Sequence, residues 1–189
     1  MIIGRHRVAL LVTLAACGPP PAECPYATTA DDPRARALLA TARSTRAGAN
    51  LPDAAPTICF GDHGRGTVRH DGVIVLAAAQ DHPAAAARLL HMHMHLVDEL
   101  HRFPRPDIPC DRQLAAVIDA EARAIAAEIE ACAELRCLTA PYSFADAVLA
   151  AAPSERPALV REKLHATPAT DDLDVLIADY CRRCEDQSP

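Results

Sequence analysis

The sequence has no tryptophan, and aromatic residues make up only 3% of its 189 positions. Stacking platforms for bases or sugars are therefore poorly supplied. Lysine is nearly missing, Lys163 being the single one, and the net charge is -6 with acids and arginines interspersed. Such a chain has no basic stripe of the kind that phosphate-backbone binding needs, which argues against nucleic acid as a partner. The glycine cluster Gly61-Asp62-His63-Gly64-Arg65-Gly66 lacks the following Lys-Ser/Thr of a phosphate loop, and a hairpin turn accounts for it. No Ser, Cys or His group shows the local signature of a catalytic nucleophile, and no internal repeat is visible.

What the chain does have begins at its start, MIIGRHRVALLVTLAAC. Arg5 and Arg7 precede a short apolar stretch from Val8 to Leu14, then small residues, then Cys17. An apolar run of roughly ten residues is too short to cross a hydrocarbon layer that needs about 20, so the segment reads as a secretory signal. Its ending, Leu14-Ala15-Ala16-Cys17, resembles a bacterial lipobox. That resemblance implies cleavage before Cys17, lipid on the Cys17 sulfur, and anchoring to a membrane of the bacterial cell envelope, at the outer membrane or facing the periplasm. The organisation expected is a signal peptide over 1–16, a lipid-anchored Pro-rich linker over 17–30, and one globular domain over 31–189.

Eight cysteines in an exported chain read as disulfides, and with Cys17 lipidated one thiol is left over. Cys181-Arg-Arg-Cys184 ends an apparent helix rather than opening one after a strand, so structural bridging is preferred to redox chemistry. An unbroken helix between Cys110 and Cys137 keeps those two from meeting, because its ends lie roughly 30 to 40 Å apart. Cys132 and Cys137 are then expected to pair with each other or with Cys181 and Cys184.

The fold class expected is α+β, mostly helical. A first helix spans 31–47, capped by Asp31 or Asp32 with Pro33 in its first turn. Strands at Thr57 to Phe60, Thr67 to Arg69 and Val73 to Leu76, with a turn at His70-Asp71-Gly72, predict a small antiparallel sheet. A helix capped by Asp81 runs to about His101, and a long second helix capped by Asp111 runs to about Cys137. Helical stretches near 143–151, 154–166 and 171–183 complete the chain.

His91-Met92-His93-Met94-His95 is the segment able to carry chemistry. Helical phasing puts Ala85, Leu89, Met92, Leu96 and Leu100 on one face with His93 among them, while His91 and His95 share the opposite face beside Arg88. Two imidazoles four residues apart can hold one metal ion; the alternative is a solvated face, with His93 a core histidine. On the long helix, Glu121 stands inside the apolar stripe of Leu114, Val117, Ile118, Ile125, Ile129 and Cys132, and Glu128 is close by. A carboxylate in such a stripe costs several kcal/mol unless paired or bound to metal, so Glu121 requires a cationic partner. That partner is either an arginine or a metal held by His91 and His95.

These residues resemble the gluzincin type of zincin metallopeptidase: a strand, a helix with two histidines in the HExxH register, and a glutamate on the next helix. The resemblance implies zinc held by His91, His95 and Glu121. The family's general base stands at the position occupied here by Met92, and a thioether takes no proton. Loss of a positioned base typically costs about 10² to 10⁴-fold in rate. The three-histidine variant of the motif, which would add His101, fails because Asp98 stands where its glycine should be and no methionine follows Met94; His101 is read as a helix C-terminal histidine.

Three functions follow as expectations. The leading one is an envelope lipoprotein whose zincin-like domain is non-catalytic and binds or scaffolds a protein or peptide partner. The second is copper or zinc handling, since alternating Met and His offers soft and borderline ligands. The third is an active zinc hydrolase in which Glu99 or Asp98 serves as base.

Overall fold

The computed structural model describes residues 23–52, 56–62, 64, 66–105, 107–140, 142–166, 180–184 and 186. The expected signal peptide, Cys17 and the 171–179 part of the last helix lie outside them. The architecture is α+β and mostly helical, with a four-stranded sheet at one side and a long helix at the other.

The chain enters through β1 (Thr28–Ala30) and α1 (Asp32–Arg43). Asp31 caps α1 by accepting from the Arg34 amide at 3.0 Å, with Pro33 in the first turn, and the helix stops short of residue 47. Next come β2 (Ile58–Gly61), β3 (Thr67–Val68) and β4 (Ile74–Ala77). The sheet order is β1-β2-β4-β3, with β1 antiparallel to β2, β2 parallel to β4, and β4 antiparallel to β3.

The antiparallel expectation is thus corrected for the central pair. The residue types explain it: Ile58-Cys59-Phe60 and Ile74-Val75-Leu76 are apolar without alternation and buried throughout, as strands covered on both faces require. One face packs Ile58, Phe60, Ile74 and Leu76 against α1 and the next helix; the other packs Cys59, Val73 and Val75. Only the turn before β4 is a hairpin, closed by the Arg69 amide on the Val73 carbonyl and by Asp71. The glycines before β3 instead take the chain past β4 to its far side. At Gly66 a side chain would meet the Val75 carbonyl oxygen at 2.8 Å, and φ is +99°.

Helix α2 (His82–Val97) begins where expected, with the Asp81 carboxylate accepting from the Ala84 amide at 3.1 Å. It ends four residues before His101, because Glu99 turns left-handed at φ 56° and a single 3-10 turn, Leu100–Arg102, follows. Helix α3 (Cys110–Leu135) opens behind Pro109 with no side-chain cap, so Asp111 lies inside its first turn and is not its cap. It closes with Arg136 left-handed and the Cys137 amide bonded to the Cys132 carbonyl at 3.0 Å. Helices α4 (Ala145–Ala150) and α5 (Arg156–Ala166) pack on its outer side around Ile118, Ile125, Ile129, Val148, Val160 and Leu164.

Three disulfides tie these parts together: Cys24–Cys59, Cys132–Cys137 and Cys110–Cys184. Cys110 pairs with neither Cys132 nor Cys137, as the helix length demands, and of the two alternatives for Cys132 and Cys137 the structure has them paired with each other. Cys181 keeps its thiol. No described helix is long and apolar enough to cross a membrane.

Candidate metal centre

The face of α2 carrying Ala85, Leu89 and Met92 joins the sheet core, with Leu96 packed against it. The opposite face, with Arg88, His91 and His95, is buried too, against α3. Close approach of the two helices is permitted by Ala87 and Leu90 of α2 meeting Ala131 and Cys132 of α3. His91, His95, Glu121 and Glu128 are therefore sealed in the seam, with exposures of 1%, 7%, 5% and 3%. The solvated-face alternative for the two histidines is overturned by this packing.

Glu121 Oε2 lies 2.8 Å from His95 Nε2 and 3.5 Å from His91 Nε2, and the donor atoms of the three residues all fall within 4.8 Å of one another. The arginine considered as the rival partner is present in the seam, but it serves Glu128. Glu128 Oε2 accepts from His91 Nδ1 at 2.7 Å, from the Arg88 guanidinium at 3.0 Å and from the Tyr142 hydroxyl at 2.9 Å. An ionised carboxylate only accepts, so His91 presents an Nδ1 proton to Glu128 and turns Nε2 toward Glu121.

The chemistry of the trio shows in what is missing from it. His91 Nε2 and Glu121 Oε2 are both buried, and neither has a hydrogen-bond partner among the described residues. The 2.8 Å approach of His95 thus lacks the alignment of a hydrogen bond. Buried polar atoms without partners cost about 1–3 kcal/mol each; lone pairs converging on a shared point are what a cation satisfies. Two ligand atoms about 2.1 Å from one tetrahedral zinc stand about 3.4 Å apart. The 3.5 Å pair matches that edge, and the 2.8 Å pair opens to it by a small side-chain rotation.

The protonation states agree. Burial alone would raise the Glu121 carboxyl, but the two imidazoles outweigh it and hold the acid well below the usual carboxylate range. Burial dominates at His95 and pushes it below the ordinary imidazole range in spite of Glu121, which favours the neutral, ligating form. Burial also works against charge at Glu128 and Arg88, and their mutual attraction overcomes it at both, so the pair stays ionised. A ligand histidine whose other nitrogen is held by a carboxylate is the usual way proteins orient such a ring. Sequence reasoning noted Glu128 but not this role. Its position two helical turns from Glu121, and that of Arg88 three residues before His91, were the available signals.

The trio borders a cleft of about 250 Å³ whose lining includes His95, Glu121, Met92, Val68, His101 and Tyr180. Met92, at the base position of the resembled motif, is 3% exposed and belongs to the sheet core while touching this cleft. His101 is half-buried on the 3-10 turn, not at the end of α2. His93 is 5% exposed, and burial followed by the nearby Arg43 lowers its pKa, as fits a core histidine. Asp98 pairs with Arg123 at 2.9 Å and Glu99 with Arg102 at 3.1 Å. Both line a separate cleft beside Arg105 and Arg112, away from the trio.

No protein-family model matches the chain, and comparison with curated proteins and with solved structures returns no match.

Proposed function

We propose that this protein is a lipid-anchored component of the bacterial envelope whose domain holds one zinc ion at His91, His95 and Glu121 and uses that site for binding rather than for hydrolysis. The observation that carries the metal reading is the convergence of three buried donors within 4.8 Å of one another, His91 Nε2 and Glu121 Oε2 among them having no hydrogen-bond partner among the described residues. Two nitrogens and a carboxylate oxygen are a zinc-type set; a Cu(I) site would want the soft sulfurs that the trio lacks. When bound, the ion supplies a Lewis-acidic position open to the cleft. Glu128 keeps His91 turned toward it, with Arg88 and Tyr142 holding Glu128.

Absence of hydrolysis follows from Met92, which offers no proton acceptor where the gluzincin arrangement places one. The two acids considered as substitutes, Asp98 and Glu99, are engaged by arginines on another surface. The envelope location is supported by the residue order ending in Cys17 and by three disulfides, which persist in oxidising compartments.

Two experiments test the parts separately. Metal analysis of untagged protein purified without added ions should give one zinc per chain, lost on Glu121→Ala; metal retained by that variant would remove the trio. Cys17→Ser should move the protein from the membrane to a soluble fraction, and persistence on membranes through detergent-free washing would refute the anchor. Peptide cleavage by the natural chain, abolished by chelation, would restore the enzyme reading.

A further inference from the structure

We infer that the Cys110–Cys184 bond is an exchangeable clamp on the cleft: the Cys181 thiol displaces Cys110 from Cys184 and so releases the segment bearing Tyr180 and Arg183 from the start of α3. The exchange requires no metal and is independent of the zinc reading.

Cys181 is the free cysteine among the described residues, and it is partly exposed. It precedes Cys184 by three positions within the helical residues 180–184, where the α-helical rise and turn place the two Cα atoms about 5 Å apart. The bond that Cys184 makes to Cys110 spans a Cα separation of 5.5 Å, and cystines accept roughly 4.4 to 6.8 Å. Both partners are thus within reach of Cys184. Because Cys184 is only 8% exposed, a thiol on its own helical turn has better access to its sulfur than one arriving from solution. The CxxC motif, which ends its helix and so lacks the setting of a redox enzyme, acquires an internal use.

The step balances without an outside reagent. The Cys181 thiolate attacks Cys184 Sγ, the Cys181–Cys184 bond forms as the Cys110–Cys184 bond breaks, and the electron pair leaves on Cys110 Sγ, which takes up the proton that Cys181 gave. Nothing is oxidised or reduced overall. Cys110 is placed to leave, because it is the first residue of a 26-residue helix with no side-chain cap, and the amides and dipole at such an end favour a thiolate. After exchange the segment keeps noncovalent contacts, among them the apolar cluster of Phe103, Val117, Tyr180 and Cys184, with the rings of Phe103 and Tyr180 5.2 Å apart. Tyr180 and Arg183 belong to the lining of the cleft that the trio borders. Which sulfur holds Cys184 therefore decides how firmly that lining is fixed.

The test uses the full oxidised chain, held at pH 8 without reductant, quenched with acid, labelled with N-ethylmaleimide and mapped linkage by linkage without reduction. The map should recover Cys181–Cys184 beside Cys110–Cys184, with label on Cys110 as well as on Cys181. Cys181→Ser should show Cys110–Cys184 alone and no label on Cys110, which ties the exchange to that thiol. A wild-type map that holds only Cys110–Cys184, with Cys181 labelled and Cys110 not, overturns the proposal. Two variants then read the release. Oxidised monomeric Cys110→Ser should form the Cys181–Cys184 bond, and its amides over 180–184 should exchange hydrogen about tenfold faster than those of Cys181→Ser, in which the clamp cannot open. Cys181 and Cys184 remaining as two thiols in oxidised Cys110→Ser would show that the helical turn does not admit the bond. Equal protection in the two variants would show that the bond does not fix the segment. The wild-type map needs no variant, so a folding defect in Cys110→Ser leaves the exchange itself decided.

Discussion

Two glutamates sit two turns apart on the same face of α3, both almost completely buried, and the structure treats them in opposite ways. Glu128 has every reason to be ionised and is fully occupied, by Arg88, His91 and Tyr142. Glu121 is ionised as well, but its Oε2 has imidazole nitrogens for neighbours and no hydrogen bond. One end of the seam is closed by protein groups alone; at the other, His91 Nε2 and Glu121 Oε2 have no hydrogen-bond partner among the described residues, and the group could hold a cation. Burial and charge are therefore not enough to mark a site. What separates a structural carboxylate from a ligand is whether the chain itself supplies all of its partners.

Removing the structural member should have the largest effect. Glu128→Ala leaves Arg88 buried without its counter-charge and is expected to cost about 3–5 kcal/mol in chemical denaturation, with or without zinc. A loss below about 1 kcal/mol would mean that the two carboxylates are equivalent after all. The second effect belongs to the other end. Zinc at about 1,000 times its dissociation constant should stabilise the protein by about 4 kcal/mol in denaturant titrations, reversed by chelator. Glu121→Ala should abolish that gain while costing the metal-free protein little, since it removes an unsatisfied buried group. A large loss in the metal-free variant would show that His91 and His95 satisfy the carboxylate by themselves. A smaller effect is expected of Tyr142→Phe, which deletes one bond to Glu128: about 1–2 kcal/mol of stability with zinc stoichiometry unchanged. Least of all, Asp98→Asn breaks a surface pair with Arg123 and should move stability by no more than about 1 kcal/mol. Any fall in zinc content there would bring Asp98 into the site.

The face of α2 that meets the sheet was legible because Ala85, Leu89, Met92 and Leu96 recur with the helical period. The trio was legible by a different route: two histidines four apart, and an acid inside an apolar stripe whose cost demanded a partner. The fate of Arg88 was not, since choosing between Glu121 and Glu128 depends on how α2 and α3 slide past each other. The parallel pairing of β2 with β4 was hidden for a similar reason. A glycine-rich turn reads as a hairpin unless one knows that Gly66 must pass against the Val75 carbonyl. Strand β1, three residues with no apolar pattern, exists because β2 offers it an edge. Early termination of α2 turns on the left-handed conformation of Glu99, a residue type that gives no warning of it.

The bond from Cys110 to Cys184 spans 74 residues and joins the start of α3 to the turn bearing Tyr180 and Arg183. All three candidate donors have been added to the chain by residue 121, whereas that wall of the cleft is made later and is tied to α3 by the Cys110–Cys184 bond. Maturation therefore has an order: a chain stopped before residue 180, or kept in a reducing cytoplasm, keeps its three donors and lacks an anchored wall opposite them. Recombinant protein intended for ligand work has to be made by an oxidative route, because zinc content alone will not reveal whether the far side of the cleft is in place.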